Sequence, residues 1–147
     1  MNIPNPFQEF FRDLTALGGL TLYVVILALT LVFHYYTVLV QLGLGLLMMI
    51  VVTMLIRVFY FKNRPRKQDY RNILERLDAS SFPSLHTARV VFLAFMAYSV
   101  FHNQYVTMVA VLLAALVSYS RIYLQKHDWW DLLGGVVLGG VTWVVVG

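Results

Sequence analysis

The stretch SRIYLQKHDWWD, residues 120–131, sets an arginine, a histidine and two aspartates between two strongly apolar segments. Each flanking segment, 104–123 and 129–147, is long enough to cross a bilayer core of about 30 Å, which takes roughly 20 helical residues. The stretch therefore predicts a turn between two spanning helices at one membrane surface. Ionisable residues in or beside spanning segments are costly, so by default they mark a functional site.

The rest of the chain has the composition of a membrane protein. Of its 147 residues, 60% are hydrophobic and 12% are charged, and the mean hydropathy is +0.73, which is outside the usual range of a soluble domain. We expect an all-α, polytopic membrane helical bundle that forms a single domain over residues 1–147. The expected parts are an interfacial segment at 1–14 and about five transmembrane helices at 15–34, 38–60, 84–101, 104–123 and 129–147.

The N-terminal segment is expected to form a short interfacial helix over residues 3–13 that serves as an anchor. Asn5 can cap it and Pro6 fits its first turn. Its apolar face would comprise Phe7, Phe10, Phe11 and Leu14. The apolar run that follows is too long for one span, and His34-Tyr35-Tyr36-Thr37 predicts a tight turn within it.

Composition also limits cofactors and partners. The chain has no cysteine, which excludes disulfides and thiolate chemistry, and no Cys/His metal spacing, so we expect neither a metal nor a cofactor. The net charge of +4 fits an anionic lipid headgroup better than nucleic acid, because the basic residues cluster beside the predicted spans. The expected partner from composition is the lipid bilayer, with no nucleic acid, and the protein is expected to be a monomer or homodimer.

Two further polar clusters precede the opening stretch. Arg57 is followed after six residues by Arg64-Pro65, and Pro83-Ser84-Leu85-His86 comes next. In this order the three clusters resemble the signature of the type 2 phosphatidic acid phosphatase family, which is Lys-x6-Arg-Pro, Pro-Ser-Gly-His and Ser-Arg-x5-His-x3-Asp. The third motif is complete, whereas Arg57 replaces the lysine of the first motif and Leu85 the glycine of the second. The resemblance covers residues 57 to 131.

The resemblance implies a metal-independent membrane lipid phosphatase. His127 would be the nucleophile that forms a phosphohistidine, Asp131 would orient it, and His86 would protonate the leaving oxygen and then activate water. The phosphoryl group would be held by Arg57, Arg64, Ser84, Leu85 and Arg121. The implied substrate is a lipid phosphomonoester or diphosphate, with prenyl phosphates or diphosphates, phosphatidic acid, phosphatidylglycerophosphate and prenyl-linked sugar phosphates as candidates.

Residue spacing alone supports parts of this site. Arg57 and Arg64 are two helical turns apart and can share one face. A helix beginning at Pro83, with Ser81 or Phe82 as its cap, would present free amides to an anion. His127 and Asp131, four apart on the first turns of the last span, would face the same way. Asp128 is the alternative partner of His127, although adjacent helical positions point about 100° apart.

Two other functions use the same residues. A catalytically silent protein that binds lipid phosphates would keep the pocket without the reaction, and a vanadate-dependent halide oxidase would use it for different chemistry. An amphipathic segment at residues 68–78 is expected to connect two spans at the membrane surface or to act as a lid. Gly135 and Gly139 predict close helix packing within the bundle.

Charge distribution predicts the orientation in the cell membrane. All eleven lysines and arginines fall on or beside the membrane face that carries the three motifs, and none falls in the turns at residues 34–37 and 101–104. Basic loops favour the cytoplasmic side. We therefore expect a multi-pass protein of the cell membrane with its active site on the cytoplasmic face. The eleven lysines and arginines are Arg12, Arg57, Lys62, Arg64, Arg66, Lys67, Arg71, Arg76, Arg89, Arg121 and Lys126.

Overall fold

The computed structural model describes residues 5–66 and 69–147, and in that part every regular element is a helix. The helices are α1 Pro6–Ala16, α2 Leu20–Val32, α3 Tyr36–Phe59, α4 Ile73–Ala79, α5 Leu85–Phe101, α6 Gln104–Tyr123 and α7 Trp129–Val146. The pair α1 with α2, and each of α3, α6 and α7, are long and apolar enough to cross a membrane, while α5 is a shorter apolar helix. The predicted all-α, multi-pass membrane fold is therefore confirmed.

The N-terminal apolar region is broken into two helices. Asn5 caps α1 as predicted, because its side-chain oxygen accepts a hydrogen bond from the Phe7 amide at 3.0 Å. However, α1 continues to Ala16 and α2 begins at Leu20, so the expected boundary at residue 14 is displaced into the segment 17–19. Helix α2 alone is about 20 Å long, too short for a bilayer core of about 30 Å.

Helix α5 is the centre of the bundle and packs against α3, α6 and α7. Two glycines of α7 allow its close approach. A Cβ on Gly135 would lie 2.6 Å from the Ser84 carbonyl oxygen, and one on Gly139 would lie 2.6 Å from that of Ala88. The predicted close packing within the bundle is thus present, and it holds the start of α7 against the start of α5.

The start of α5 differs from the sequence prediction. Ser84 is the cap and Leu85 is the first helical residue, so the expectation that the helix begins at Pro83 with Ser81 or Phe82 as cap is wrong. The physical reason is Arg57, whose guanidinium hydrogen-bonds to the carbonyl oxygens of Phe82 and Pro83. Those carbonyls are turned toward the arginine rather than along the helix axis.

Three residues between helices adopt positive φ angles in the left-handed region. They are His34, His102 and Gln125, with φ of 60°, 48° and 54°. The first lies in the predicted turn between α2 and α3. The third reverses the chain after α6, so that the His127 amide donates to the Arg121 carbonyl at 3.3 Å. His127 therefore precedes α7, which begins at Trp129, and does not lie on its first turn as expected.

Candidate active site

The three sequence clusters meet at one end of the bundle, where α3 and α6 end and α5 and α7 begin. Most of their polar side chains are buried, although they lie near a membrane surface. Arg57 is 4% exposed, Arg121 7% and His127 3%, and Ser84 and Asp131 are fully buried. Buried polar and charged groups on this scale require either internal partners or a bound ligand.

The His127 and Asp131 side chains face each other. Nδ1 of His127 lies 3.4 Å from Oδ2 of Asp131, a long contact, and within the described part of the chain Nδ1 makes no well-formed hydrogen bond. A carboxylate beside Nδ1 favours the tautomer that carries the proton on that nitrogen and leaves a lone pair on Nε2. In this tautomer, the nitrogen with the free lone pair is Nε2, which does not face Asp131.

Asp131 is fixed by three further contacts. Its Oδ1 accepts hydrogen bonds from Lys62 Nζ at 2.9 Å and from Ser81 Oγ at 3.2 Å. Its Oδ2 accepts one from the Asp128 amide at 3.0 Å, as part of a capping box at the start of α7. The Asp128 side chain caps α7 and forms an ion pair with Lys62 at 2.6 Å. The carboxylate that faces His127 is therefore that of Asp131.

Lys62 bridges the two carboxylates, a role that sequence reasoning missed. Burial lowers its pKa, but the hydrogen bonds to Asp128 and Asp131 raise it and prevail, so the net shift is upward. The lysine is therefore charged at neutral pH and stabilises the Asp131 carboxylate. The sequence signal was slight, because Lys62 lies 66 and 69 residues from its partners.

Arg57 contacts backbone. Its Nε, Nη1 and Nη2 donate to the carbonyl oxygens of Phe82, Leu77 and Pro83 at 3.3, 3.0 and 3.2 Å. Two of the five N–H groups of a guanidinium are left over for a phosphoryl oxygen. The sequence prediction assigned Arg57 to phosphate, and the contacts observed are those of a clamp on the loop between α4 and α5.

Arg64 and Arg121 have unsatisfied donors. Arg64 Nη2 donates to the Asp78 carbonyl oxygen and Arg121 Nη1 to the Thr15 hydroxyl at 3.1 Å. The Nε atom of each arginine is buried and has no hydrogen-bond partner among the described residues. An unpaired buried donor is costly, and an oxyanion between the two guanidiniums would satisfy both.

The positive charges of Arg64 and Arg121 affect the pKa values of His127 and Lys126. Burial lowers the pKa of His127, Asp131 opposes this shift, and the charges of Arg121 and Arg64 lower the pKa further. Burial lowers the pKa of Lys126 as well, again reinforced by Arg64 and Arg121. His127 is therefore neutral at physiological pH, the form that can act as a nucleophile, in a region whose excess positive charge attracts an anion.

The start of α5 supplies further polar groups. Ser84 Oγ accepts hydrogen bonds from the Thr87 amide at 3.4 Å and the Thr87 hydroxyl at 3.1 Å, so the Ser84 hydroxyl is engaged in capping. The Leu85 amide belongs to the first turn of the helix, whose free donors suit an anion. The Leu85 side chain packs against the hydrophobic cluster that contains Phe92.

His86 lies within electrostatic reach of His127, Arg64 and Arg121. Its Nδ1 is 3.4 Å from Nη2 of Arg89, a second residue that the motifs did not indicate. A guanidinium only donates, so where this contact forms Nδ1 must accept and the imidazole proton lies on Nε2. The sequence signal for Arg89 was a charge one turn after His86 in an otherwise apolar helix.

No cluster of three or more His, Cys, Asp or Glu side chains in residues 5–66 and 69–147 is suited to a metal ion. Two histidines outside the motifs, His34 and His102, lie in the turns at the opposite end of the bundle, as expected from their positions. They take no part in the site.

The described helices bring arginines, two histidines and an aspartate together at one end of a membrane bundle, an arrangement suited to an anion such as a phosphoryl group. The PAP2 superfamily model matches residues 38–146, which is well over half of the chain. The chain therefore belongs to the PAP2 superfamily, and the resemblance drawn from the three motifs is confirmed.

Similar proteins agree with this assignment. The lipid A 4'-phosphatase of Bacteroides thetaiotaomicron is 37% identical over 59 residues, which are 40% of this chain and 26% of that protein, so the match spans about a quarter of that relative's length. The crystal structure of Aquifex aeolicus LpxE superposes with a TM-score of 0.78 at 22% identity and covers 99% of this chain and 88% of that one.

A second crystal structure, of the first transmembrane PAP2 type phosphatidylglycerolphosphate phosphatase from Bacillus subtilis, gives a TM-score of 0.71 at 22% identity. It covers 98% of this chain and 77% of that chain. At this level of identity, the two structures establish the shared membrane fold.

Proposed function

We propose that this protein is a membrane lipid phosphatase that hydrolyses a lipid phosphomonoester or diphosphate through a phosphohistidine on His127. The observation that carries the proposal is the pair of buried Nε atoms on Arg64 and Arg121 that have no hydrogen-bond partner among residues 5–66 and 69–147, in electrostatic reach of a neutral His127. The two guanidiniums are suited to bind a phosphoryl group, because arginine forms charge-assisted hydrogen bonds with phosphate oxygens.

In the proposed reaction, Nε2 of His127 attacks phosphorus and the bond from phosphorus to the leaving oxygen breaks. His86, carrying a proton on both ring nitrogens and therefore released from Arg89, protonates that oxygen and becomes a neutral base. It then takes a proton from the water that attacks phosphorus, the bond from phosphorus to Nε2 of His127 breaks, and inorganic phosphate is released. Asp131 stabilises the positive charge that develops on His127. The arginines stabilise the phosphoryl oxygens as their charge redistributes, and the scheme has no step that requires a metal.

A lipid substrate is favoured by the surroundings of the site. An apolar groove of about 970 Å³ runs between α5, α6 and α7, and the eight predicted site residues, all of them described, are absent from its lining. Trp129 and Leu132 line it and lie in the first turn of α7 with Asp131, so the groove reaches the end of the bundle that holds the site. A hydrocarbon tail in the groove would leave its headgroup near the arginines. The relatives named for lipid A and phosphatidylglycerolphosphate support a phosphorylated lipid of this general kind.

The active site is proposed to face the cytoplasm, because the basic residues are concentrated on the motif-bearing side. The chain has no native cysteine, so single-cysteine variants can be labelled without background. Asp69→Cys is expected to react with an impermeant thiol reagent only after cells are opened, whereas Gln104→Cys, at the other end of the bundle, is expected to react in intact cells. The reverse pattern would refute this orientation.

The proposed activity is tested by phosphate release in detergent with EDTA present, on a panel of lipid mono- and diphosphates. Wild type is compared with His127→Ala and with the control His102→Ala, which changes a histidine at the opposite end of the bundle. We expect release by wild type and the control, and none above background by His127→Ala. Tight lipid phosphate binding by all three proteins with release by none would point instead to a lipid-phosphate-binding protein.

A further inference from the structure

The N-terminal helix α1 contacts the active site as well as the membrane. One stripe of the segment, at helical spacing i, i+3, i+4 and i+7, faces the ends of α5 and α6 and consists of Phe11, Leu14, Thr15 and Gly18. Of the predicted apolar face, Phe11 and Leu14 contact the bundle, whereas Phe7 and Phe10 are 68% and 58% exposed. The bundle therefore covers one edge of that face and leaves the other open to the membrane.

Aromatic contacts attach this stripe to the end of α6. The Phe11 ring lies 4.2 Å from that of Tyr123 and 5.9 Å from that of Tyr119, measured between centroids. Arg121 lies between these two tyrosines in sequence. Leu14 packs against the buried cluster that contains Val117. Helix α1 is thus held in a defined position beside Arg121, and its position cannot change without disturbing that residue's surroundings.

Thr15 contacts Arg121 directly. Its hydroxyl accepts a hydrogen bond from Nη1 at 3.1 Å, across 106 residues of sequence. Because Nη1 is held by Thr15, the planar guanidinium has a fixed orientation, and its buried Nε remains without a partner in the described part of the chain. Thr15 therefore determines which edge of the guanidinium is available to a phosphoryl group.

Gly18 lies on the side of the site that contains His86. A Cβ at this buried position would lie 2.8 Å from Cγ1 of Val117 and 3.3 Å from Cδ2 of His86. Cδ2 is bonded to Nε2, the ring nitrogen that would exchange a proton with the leaving oxygen. Any side chain at position 18 must displace the imidazole, the valine or the backbone between α1 and α2.

We infer that the junction between α1 and α2 forms one wall of the catalytic pocket, with Thr15 positioning Arg121 and Gly18 leaving room for the ring of His86. This inference rests on the proposed function of the site. Both residues precede residues 38–146, which the family model matches, so no family motif pointed to them. The wall lies beside His86, where the leaving group of the substrate would sit.

The test compares variants of the full-length protein in detergent by two measurements, orthovanadate binding and the steady-state kinetics of phosphate release. Thr15→Val and Thr15→Ala remove the hydroxyl, whereas Thr15→Ser keeps it. Thr30→Val is the control, since the Thr30 hydroxyl donates to the Leu27 carbonyl within its own helix α2. We expect both hydroxyl-free variants to bind vanadate about tenfold more weakly and to raise KM, and Thr15→Ser to behave like wild type.

The glycine is tested in parallel. Gly18→Ala should lower kcat by about tenfold, because a small displacement of a catalytic group is costly. Gly43→Ala should have no effect, since a Cβ at Gly43 meets no atom within 4 Å.

The outcomes separate this inference from the proposed function. If wild type binds vanadate and releases phosphate but the hydroxyl-free variants equal it in both measurements, the inference for Thr15 is refuted and the function stands. Equal impairment of Thr15→Ser and Thr15→Val would also refute a role for the hydroxyl. If wild type itself neither binds vanadate nor releases phosphate, the proposed function fails and this inference fails with it.

Discussion

Arg57→Lys restores the residue of the family motif and is expected to destabilise this protein. The Arg57 side chain spans three carbonyl oxygens, those of Leu77, Phe82 and Pro83, from three different nitrogen atoms. A lysine ammonium has its donors on one atom, so we expect it to keep one of these hydrogen bonds and lose two. Because the guanidinium is 4% exposed, water cannot replace the lost donors at the buried carbonyls.

The magnitude follows from the number of bonds lost. A hydrogen bond to a charged group contributes about 1.5–3 kcal/mol, so two lost bonds cost about 3 kcal/mol at the low end. With about 2–4 °C in Tm per kcal/mol for a chain of this size, Tm in detergent should fall by roughly 6–12 °C. The control is Arg12→Lys, at a side chain that is 69% exposed and 4.0 Å from Glu9, which should leave Tm unchanged.

Thermal unfolding followed by tryptophan fluorescence measures the effect, with phosphate release measured on the same samples. A lower Tm with residual activity at low temperature would establish Arg57 as the clamp on the loop between α4 and α5. An unchanged Tm with full activity would refute the clamp, because it would mean that a point charge is sufficient at this position, as expected if the residue contacts phosphate alone.

Three further predictions concern the same end of the bundle. Lys62→Met removes a charged hydrogen bond from the buried carboxylate of Asp131 and should cost about 1.5–3 kcal/mol of stability and lower kcat; equal kcat and Tm to wild type would contradict the bridge seen in the structure. His127 must be neutral to attack and its pKa is lowered from 6.5, so it is neutral at every pH above that lowered pKa. The acid limb of kcat should therefore lie below pH 6.5, and a limb above that value would rule out His127 as the titrating group. Gly135→Ala should lower Tm, because its Cβ would lie 2.6 Å from a carbonyl oxygen, whereas Gly140→Ala, whose nearest neighbour would be 3.8 Å away, should not; equal Tm values for the two variants would contradict the close packing of α5 on α7.

The family and the membrane fold could be predicted because both depend on local features of the sequence. Apolar length gives the spans, and the order and spacing of three motifs gives the family. His127 and Asp131 are close, as predicted, but the reason differs, because His127 lies before α7 and the turn at its start brings the two side chains together. The small residues at positions 135 and 139 indicated the close packing of α7 correctly.

The positions of Arg57, Lys62 and Thr15 could not be predicted because they depend on contacts between distant segments. Motif spacing predicted a place beside phosphate for Arg57, but it gave no sign of the three carbonyls, 20 to 26 residues away, that accept hydrogen bonds from it. Lys62 and Thr15 reach their partners across 66 and 106 residues. No periodicity in one segment shows which side chain from another will satisfy a buried charge.

The covalent intermediate is the central claim, and trapping it is the most direct test. A lipid phosphate that carries a radiolabelled phosphoryl group is mixed with the enzyme, the reaction is stopped within its first turnover, and the labelled peptide is identified. We expect an alkali-stable, acid-labile label on His127 that is absent from His127→Ala and does not form on His86. Phosphate release by wild type with no label on His127, or undiminished release by His127→Ala, would contradict the mechanism.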